Sequence, residues 1–375
     1  MTKYNSYTLK DVITASNQNK FTVISTFAGG GGSSTGYKLS GGNILCVNEF
    51  VESARETYAS NYPDTPILPN DIRELTGKHF LDTTNLQVGE LDILDGSPPC
   101  SAFSIAGTIS KGWNKEKKYS DDKKQTNIED LFFEFIRVAN DIQPKVIIGE
   151  NVKGITIGES RKYFNKIINA FENIGYCAVG KVLNAADFGV PQARERCFFV
   201  AIRNDVLSKT DLNFMTIESI YPNATVTKRV SLKDAIHDIE NDASEEQELY
   251  DAIENGFLKK WVPLLPKNPK KVVKGSDYHP NKSLFNLIRP CPDLPSPTIT
   301  QQGQQKGLSG VIHYELDRKL TIKELMRVQG LPDDFRLQGT FNQRAERIGR
   351  MVAPHCLSAL SQSIYEKVLS VSGWF

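Results

Sequence analysis

The sequence predicts a doubly wound α/β protein, with a mostly parallel sheet and a smaller second domain. Apolar, β-branched runs alternate with helix-like segments six or seven times before residue 204. Those runs are nearly continuous, as in strands covered on both faces. Past residue 205 the alternation stops, and charge clusters and prolines take over to about residue 285. A chain of 375 residues has length for two domains. The expected division is a larger domain over 1–204 and 336–375 and a small one over 205–335.

Taken in order, F-T-V-I-S-T-F-A at 21–28 reads as a first buried strand. Four glycines at 29–32 follow, and S-S-T-G-Y-K-L-S opens a helix. Such a turn lets backbone approach a ligand, and the helix points its first N–H groups at the same place. This suits a nucleotide-like cofactor, although the G-K-[ST] ending of a phosphate-binding P-loop is missing. The second strand, N-I-L-C-V at 43–47, ends at Asn48 and Glu49. An acid there, about twenty positions past the glycines, is placed for ribose hydroxyls. A helix headed by Glu49 runs to N-Y-P-D at 61–64, and 66–72 is a short third strand with Asp71 at its end.

Residues 92–104 read D-I-L-D-G-S-P-P-C-S-A-F-S. The apolar run Leu91–Leu94 is a strand, and Gly96, Ser97, Pro98 and Pro99 force a sharp exit that carries Cys100. Open α/β sheets expose chemistry at such carboxyl edges; a buried cysteine behind a loop is the alternative. The lysine-rich 105–127 lacks periodicity and reads as a lid or a solvated loop. A helix at 128–142, a strand at 145–150 ending in Glu150 and Asn151, a helix at 159–173 and a strand at 177–183 continue the alternation. In Q-A-R-E-R-C-F-F-V-A-I at 192–202 an arginine-rich approach leads into an apolar strand, and Arg194 and Arg196, spaced by one, can line a strand face.

The stretch 258–275 interleaves six lysines with Trp261 and has no acidic residue, as surfaces that neutralise a phosphate backbone do. Residues 286–300 are extended and proline-restricted. A helix over 320–335 is capped by Gly330 and stopped by Pro332, and an amphipathic helix runs to about 370.

Composition narrows the class. With 39% apolar and 24% charged residues the chain is a soluble globular protein. No stretch approaches the ~20 apolar residues of a membrane span, and M-T-K-Y-N-S-Y-T-L-K lacks the apolar core of a secretion signal. Six cysteines without C-x-x-C spacing indicate neither a disulfide scaffold nor a zinc site, so no metal is expected and a reducing, cytoplasmic setting fits. The formal charge of +1 neither requires nor excludes nucleic acid.

F-A-G-G-G-G at 27–32, P-C at 99–100, G-E-N-V at 149–152 and Q-A-R-E-R at 192–196 occur in an order that resembles the bacterial DNA (cytosine-5) methyltransferases. The resemblance implies the S-adenosyl-L-methionine-dependent methyltransferase fold, with 1–204 and 336–375 catalytic and 205–335 recognising the target. Phe27, Gly29, Gly31, Gly32, Glu49, Asp71, Ile72, Pro99 and Val352 would hold S-adenosyl-L-methionine. Cys100, Glu150, Arg194 and Arg196 would be catalytic. Pro99, Ser104, Asn151, Gln192, Lys270 and Lys271 would meet the substrate, and 105–127 would close over a flipped base. The implied partners are double-stranded DNA and, by analogy with bacterial members, a cognate restriction endonuclease of a restriction–modification system. The chain is expected to act as a monomer.

The residues suit that chemistry. A thiolate adding to cytosine C6 makes C5 enamine-like, able to attack a sulfonium methyl group. A carboxyl group near N3 can share a proton, and an arginine can hold O2. A base inside a duplex reaches such a pocket only by flipping. Two positions depart from the family pattern. Ser101 stands where glutamine is frequent, and Gly349-Arg350-Met351-Val352-Ala353 replaces Gly-Asn-Ala/Ser-Val-Pro. Methylation of RNA, and DNA binding without turnover, are the competing readings.

Overall fold

The β-branched runs form the sheet that their spacing predicts. The structure, a computed structural model, describes residues 4–99, 117–118, 124–125 and 130–371. The sheet has seven strands, β1 Phe21–Thr26, β2 Gly42–Asn48, β3 Ile67–Leu68, β4 Ile93–Gly96, β5 Val146–Val152, β6 Tyr176–Asn184 and β7 Glu195–Arg203, in the order β3-β2-β1-β4-β5-β7-β6. Neighbours from β3 to β5 are parallel, whereas β7 runs antiparallel to β5. Strand order reverses between β1 and β4, the crevice at which open α/β sheets bind ligands.

Three expectations shift. The strand expected at Leu91–Leu94 lies at Ile93–Gly96, so its last residues enter the Pro-rich turn directly. The third strand has two residues, and Asp71 stands beyond it as the N-cap of a one-turn helix, Ile72–Glu74. The 192–202 run is not one strand. Gln192–Ala193 pairs with Ser296–Pro297, and β7 starts at Glu195.

Helices α1 Gly32–Leu39, α2 Glu52–Asn61, α3 Gly77–Thr84, α4 Leu131–Ile142 and α5 Arg161–Asn173 connect the strands. On α4 the buried residues Leu131, Phe132, Phe135, Val138, Ala139 and Ile142 recur at three-to-four spacing, as a core-facing stripe requires. Phe132 lies edge-on to Phe135, Phe171 and Phe199, with ring centroids 5.9, 6.2 and 5.3 Å away. Burying a side chain of that size contributes about 1.5–3 kcal/mol.

The chain divides into two compact units. One holds the sheet and comprises Val12–Leu183, Glu195–Asn223 and Leu357–Phe375; the other comprises Met1–Asp11, Asn184–Arg194 and Ala224–Cys356. The second unit therefore takes in segments on both sides of the predicted 205–335, and 205–223 clusters with the sheet. It contains α6 Ala243–Glu254, α7 Ile322–Gln329 and α8 Phe341–Arg350. Thr321 and Glu324 close a capping box at the start of α7, and Gly330 ends it at φ 73°, where the sequence predicts. Arg318, 1% exposed, forks onto Glu324 through two 2.8 Å bonds and reaches Glu246 at 2.6 Å. Ile253, Leu258, Val262, Leu265, Val273, Leu287 and Ile312 form a separate apolar cluster.

Candidate active site

Parallel register levels the carboxyl ends of four strands. Thr26 lies opposite both Asn48 and Gly96, and Gly96 opposite Gly149. Phe27–Gly32, Glu49, the Ser97–Pro99 turn and Glu150 are thus brought to one edge of the sheet unit, as the sequence predicts.

The glycine loop is held in a left-handed shape, with φ 52° at Phe27, 58° at Gly29 and 104° at Gly31. A Cβ at Gly31 would also lie 3.1 Å from the Tyr62 ring, so only glycine suits that position. Buried Glu49 does something the sequence reading missed. Its Oε2 accepts from the Gly29 N–H and its Oε1 from the Val51 N–H, each at 2.7 Å. The carboxylate at the end of β2 therefore shapes the loop it faces. Asp71 accepts from the Arg73 N–H at 3.1 Å, with buried Ile72 between them in the chain. Ser97 Oγ is buried with no hydrogen-bond partner among the described residues. Backbone N–H groups at a helix start, a carboxylate at a strand end and another at a helix N-cap, a buried isoleucine and an orphaned hydroxyl make a donor and acceptor set that fits a nucleoside-type cofactor.

Glu150 on β5 pairs across the ladder with Phe198, which puts Arg196, two residues earlier on β7, on the same face. Arg196 Nε lies 3.1 Å from Glu150 Oε1, with the side chains 18% and 13% exposed. Burial pulls the Arg196 guanidinium below its ordinary range and the Glu150 carboxylate opposes that pull. An arginine stays charged through such a shift. The neighbouring Asn151 is buried, and its Oδ1 accepts from the Val152 N–H at 2.8 Å. Burial pushes the Cys46 and Cys197 thiols up to about 12, so neither supplies a thiolate near neutrality. Cys100, Ser101 and Ser104, and the 105–127 segment apart from the backbone pairing of Lys117–Lys118 with Lys124–Gln125, lie outside the described residues.

The remaining candidates belong to the second unit. Arg194 and Arg196 do not share a strand face, because the chain passes from one unit to the other between Arg194 and Glu195. Arg194, 3% exposed, donates to the Ile299 and Gly349 carbonyls at 3.1 and 3.0 Å. Gln192 is fully buried. Its amide nitrogen donates to Gln329 Oε1 and the Val328 carbonyl, and its oxygen accepts from the Ile299 N–H. Gly349 lets α8 approach the Thr300 backbone, where a Cβ would come within 2.7 Å. Arg350, the departure from the family pattern, pairs with Glu346 one turn back on α8. That i,i+4 spacing is legible in the sequence. Val352 is buried just past the helix, and Lys270 and Lys271 are exposed.

Among the described residues no cluster of His, Cys, Asp or Glu could hold a metal ion, and no helix is long and apolar enough to cross a membrane.

A doubly wound sheet with a glycine loop at its carboxyl edge, beside the Ser97–Pro99 turn and a buried Glu–Arg pair, is an α/β architecture whose site stands at the strand ends. The model of the C-5 cytosine-specific DNA methylase family matches residues 21–366. The chain is 30% identical to the Type II methyltransferase M1.HphI of Haemophilus parahaemolyticus, across 94% of this chain and 87% of that one. It is 29% identical to the Type II methyltransferase M.Eco47II of Escherichia coli, across 92% and 79%. A solved methyltransferase structure, the Dnmt2 of S. pombe, shares the fold with a TM-score of 0.62 at 18% identity, covering 92% of this chain and 98% of that one. The chain belongs to the C-5 cytosine-specific DNA methylase family, and it transfers a methyl group to C5 of cytosine in DNA.

Proposed function

We propose that this enzyme takes its methyl group from S-adenosyl-L-methionine and places it on one cytosine of a specific duplex sequence, through a covalent bond between Cys100 and a flipped-out base. The reading is carried by the convergence of the Glu49-braced loop, the Ser97–Pro99 turn and the Glu150–Arg196 pair on one sheet edge. The cofactor supplies an electrophilic methyl group; this chain's residues do the rest. Phe27, Gly29, Gly31 and Gly32 approach it through backbone. Glu49 and Asp71 accept its hydroxyl and amino protons, and Ile72, Pro99 and Val352 add apolar contact.

Cys100 Sγ adds to C6, and Glu150 shares a proton with N3 as negative charge moves into the ring. Arg196 orients Glu150 and holds O2. After transfer, loss of the C5 proton expels the thiolate and restores the aromatic ring. Arg194 and Gln192 brace the segments around Ile299 and Gly349, while Asn151 and Ser104 line the base. Lys270 and Lys271 meet phosphates. The Type II relatives support a restriction–modification setting; in this reading a cognate endonuclease is the partner and the enzyme acts as a cytoplasmic monomer.

Bisulfite sequencing of DNA from cells expressing the protein is expected to show one methylated sequence context. Absence of any such context, or methylation of small RNA instead, would overturn the reading. Two residue-level outcomes follow. Glu49→Ala removes both the loop brace and a hydroxyl acceptor. Charged hydrogen bonds of about 1.5–3 kcal/mol predict a roughly 10- to 100-fold rise in KM for S-adenosyl-L-methionine, measured in steady-state assays. Lys270→Ala and Lys271→Ala should each lower the slope of log affinity against log salt by about 1, uniformly across DNA sequences.

A further inference from the structure

We propose that Asp95 is a positioning residue of methyl transfer, whose buried carboxylate ties the end of β4 to the elements that flank the glycine loop. The proposal rests on the reading of the site given above and assigns a role to a residue outside it.

Asp95 lies in the middle of the sheet, opposite Ser25 on β1 and Ile148 on β5, and is 2% exposed. An apolar side chain is the cheapest occupant of such a position, since a carboxylate there loses its water. The surroundings are instead built for an acid. Ser25 Oγ donates to Oδ2 at 2.6 Å and the Tyr37 hydroxyl donates to Oδ1 at 2.9 Å, while the Ser33 hydroxyl also favours the charged form. Ser25 sits just before the glycine loop, and Ser33 and Tyr37 lie on α1 just after it. Two residues beyond Asp95 the turn toward Cys100 begins. One side chain therefore joins the strand entering the cofactor loop, the helix leaving it and the strand that delivers the nucleophile.

Among the described residues no cation is bonded to this carboxylate; hydroxyls hold it. The next two hydroxyls of α1 are pinned elsewhere, Ser34 by the Tyr58 hydroxyl at 3.0 Å and Thr35 against the Tyr62 hydroxyl at 2.6 Å. The Tyr37 hydroxyl is thus the group of α1 that links the helix to β4.

The tie is sensitive to protonation. Burial, with Glu150 on β5 adding a like charge, raises the Asp95 carboxyl to about 7 against the pull of its hydroxyl partners. Tyr37 and Tyr58 from α1 and α2 also face this charge, and both stay protonated, their hydroxyls raised by burial. Arg196 stands behind Glu150. As the ionised form, Asp95 accepts from both the Ser25 and the Tyr37 hydroxyls; the protonated form must give up one acceptor site to its own proton. The tie therefore tightens as pH rises through about 7.

Single-turnover methylation of duplex DNA, cofactor binding by calorimetry with S-adenosylhomocysteine, and covalent trapping on DNA containing 5-fluorocytosine test this on the full chain. Asp95→Ala should lower the methylation rate by roughly 30-fold or more while cofactor affinity changes by about threefold or less, on the scale of misplacing reacting groups. Asp95→Asn, which keeps shape and one acceptor oxygen, should recover most of that rate and lose the rate change near pH 7. Tyr37→Phe leaves the acid but removes one donor, and should slow transfer several-fold and move that pH limb upward. If Asp95→Ala fails to fold, Tyr37→Phe decides. A wild-type rate with an unmoved pH limb in Tyr37→Phe, or a wild-type rate in folded Asp95→Ala, overturns the proposal. Failure of the native enzyme to trap on 5-fluorocytosine would instead overturn the covalent mechanism.

Discussion

Cys100→Ala is expected to stop methyl transfer, with a loss on the order of 10⁴-fold or more, as when a nucleophile is removed from a covalent mechanism. Cytosine C5 is weakly nucleophilic until C6 carries an added group, so no other part of the site compensates. Duplex affinity should be nearly unchanged, because thiol addition follows binding. Methylation and gel-shift measurements on one preparation separate the two, and the variant should no longer trap on 5-fluorocytosine DNA. No described cysteine replaces the lost sulfur. Cys46 and Cys197 are buried strand residues with thiols pushed up to about 12, Cys291 and Cys356 are buried as well, and the half-buried Cys177 has its thiol raised by burial and by the Glu172 charge. A variant that kept methylating at the native rate would end the scheme.

Glu150→Gln should have the next largest effect, a roughly 10²- to 10⁴-fold loss of single-turnover rate. The amide preserves shape and still accepts a hydrogen bond, but it cannot share a proton with N3. It also leaves Arg196, a largely buried cation, facing a neutral partner. Half-satisfying that group should cost about 1–3 kcal/mol of stability, visible as a lowered melting temperature. The two readouts are distinct. If the rate falls only as far as the folded fraction does, Glu150 is structural. If the rate falls at a temperature where the variant is fully folded, it takes part in the reaction.

Much of this is legible in the sequence. The β1 run and the glycines after it are local signals, because β-branched residues favour strands and successive glycines favour left-handed turns. Gly330 and Pro332 mark the end of α7 for the same local reason. What stayed hidden depends on pairing between distant segments. Arg194 and Arg196 look like neighbours on one strand until Ser296–Pro297 claims Gln192–Ala193 and ends the shared strand there. Gln192 reads as a polar contact residue, yet Ile299, Val328 and Gln329, more than a hundred residues away, take up its amide. Asp71 falls past its strand because Asn48 Nδ2 bonds the Leu68 and Asn70 carbonyls, a fastening no local pattern announces. The Glu346–Arg350 pair is the opposite case, a four-residue spacing on a helix that could have been read directly.

The double acceptance by Glu49 bears on how the enzyme meets its cofactor. With both oxygens already engaged by the Gly29 and Val51 amides, the turn keeps its form whether or not a nucleoside lies against it. Little disorder is then left for the incoming molecule to remove, and binding strength is set by the contacts made rather than reduced by freezing a floppy chain. An enzyme that must find a rare site along DNA can in this way carry its methyl donor loaded and ready throughout the search.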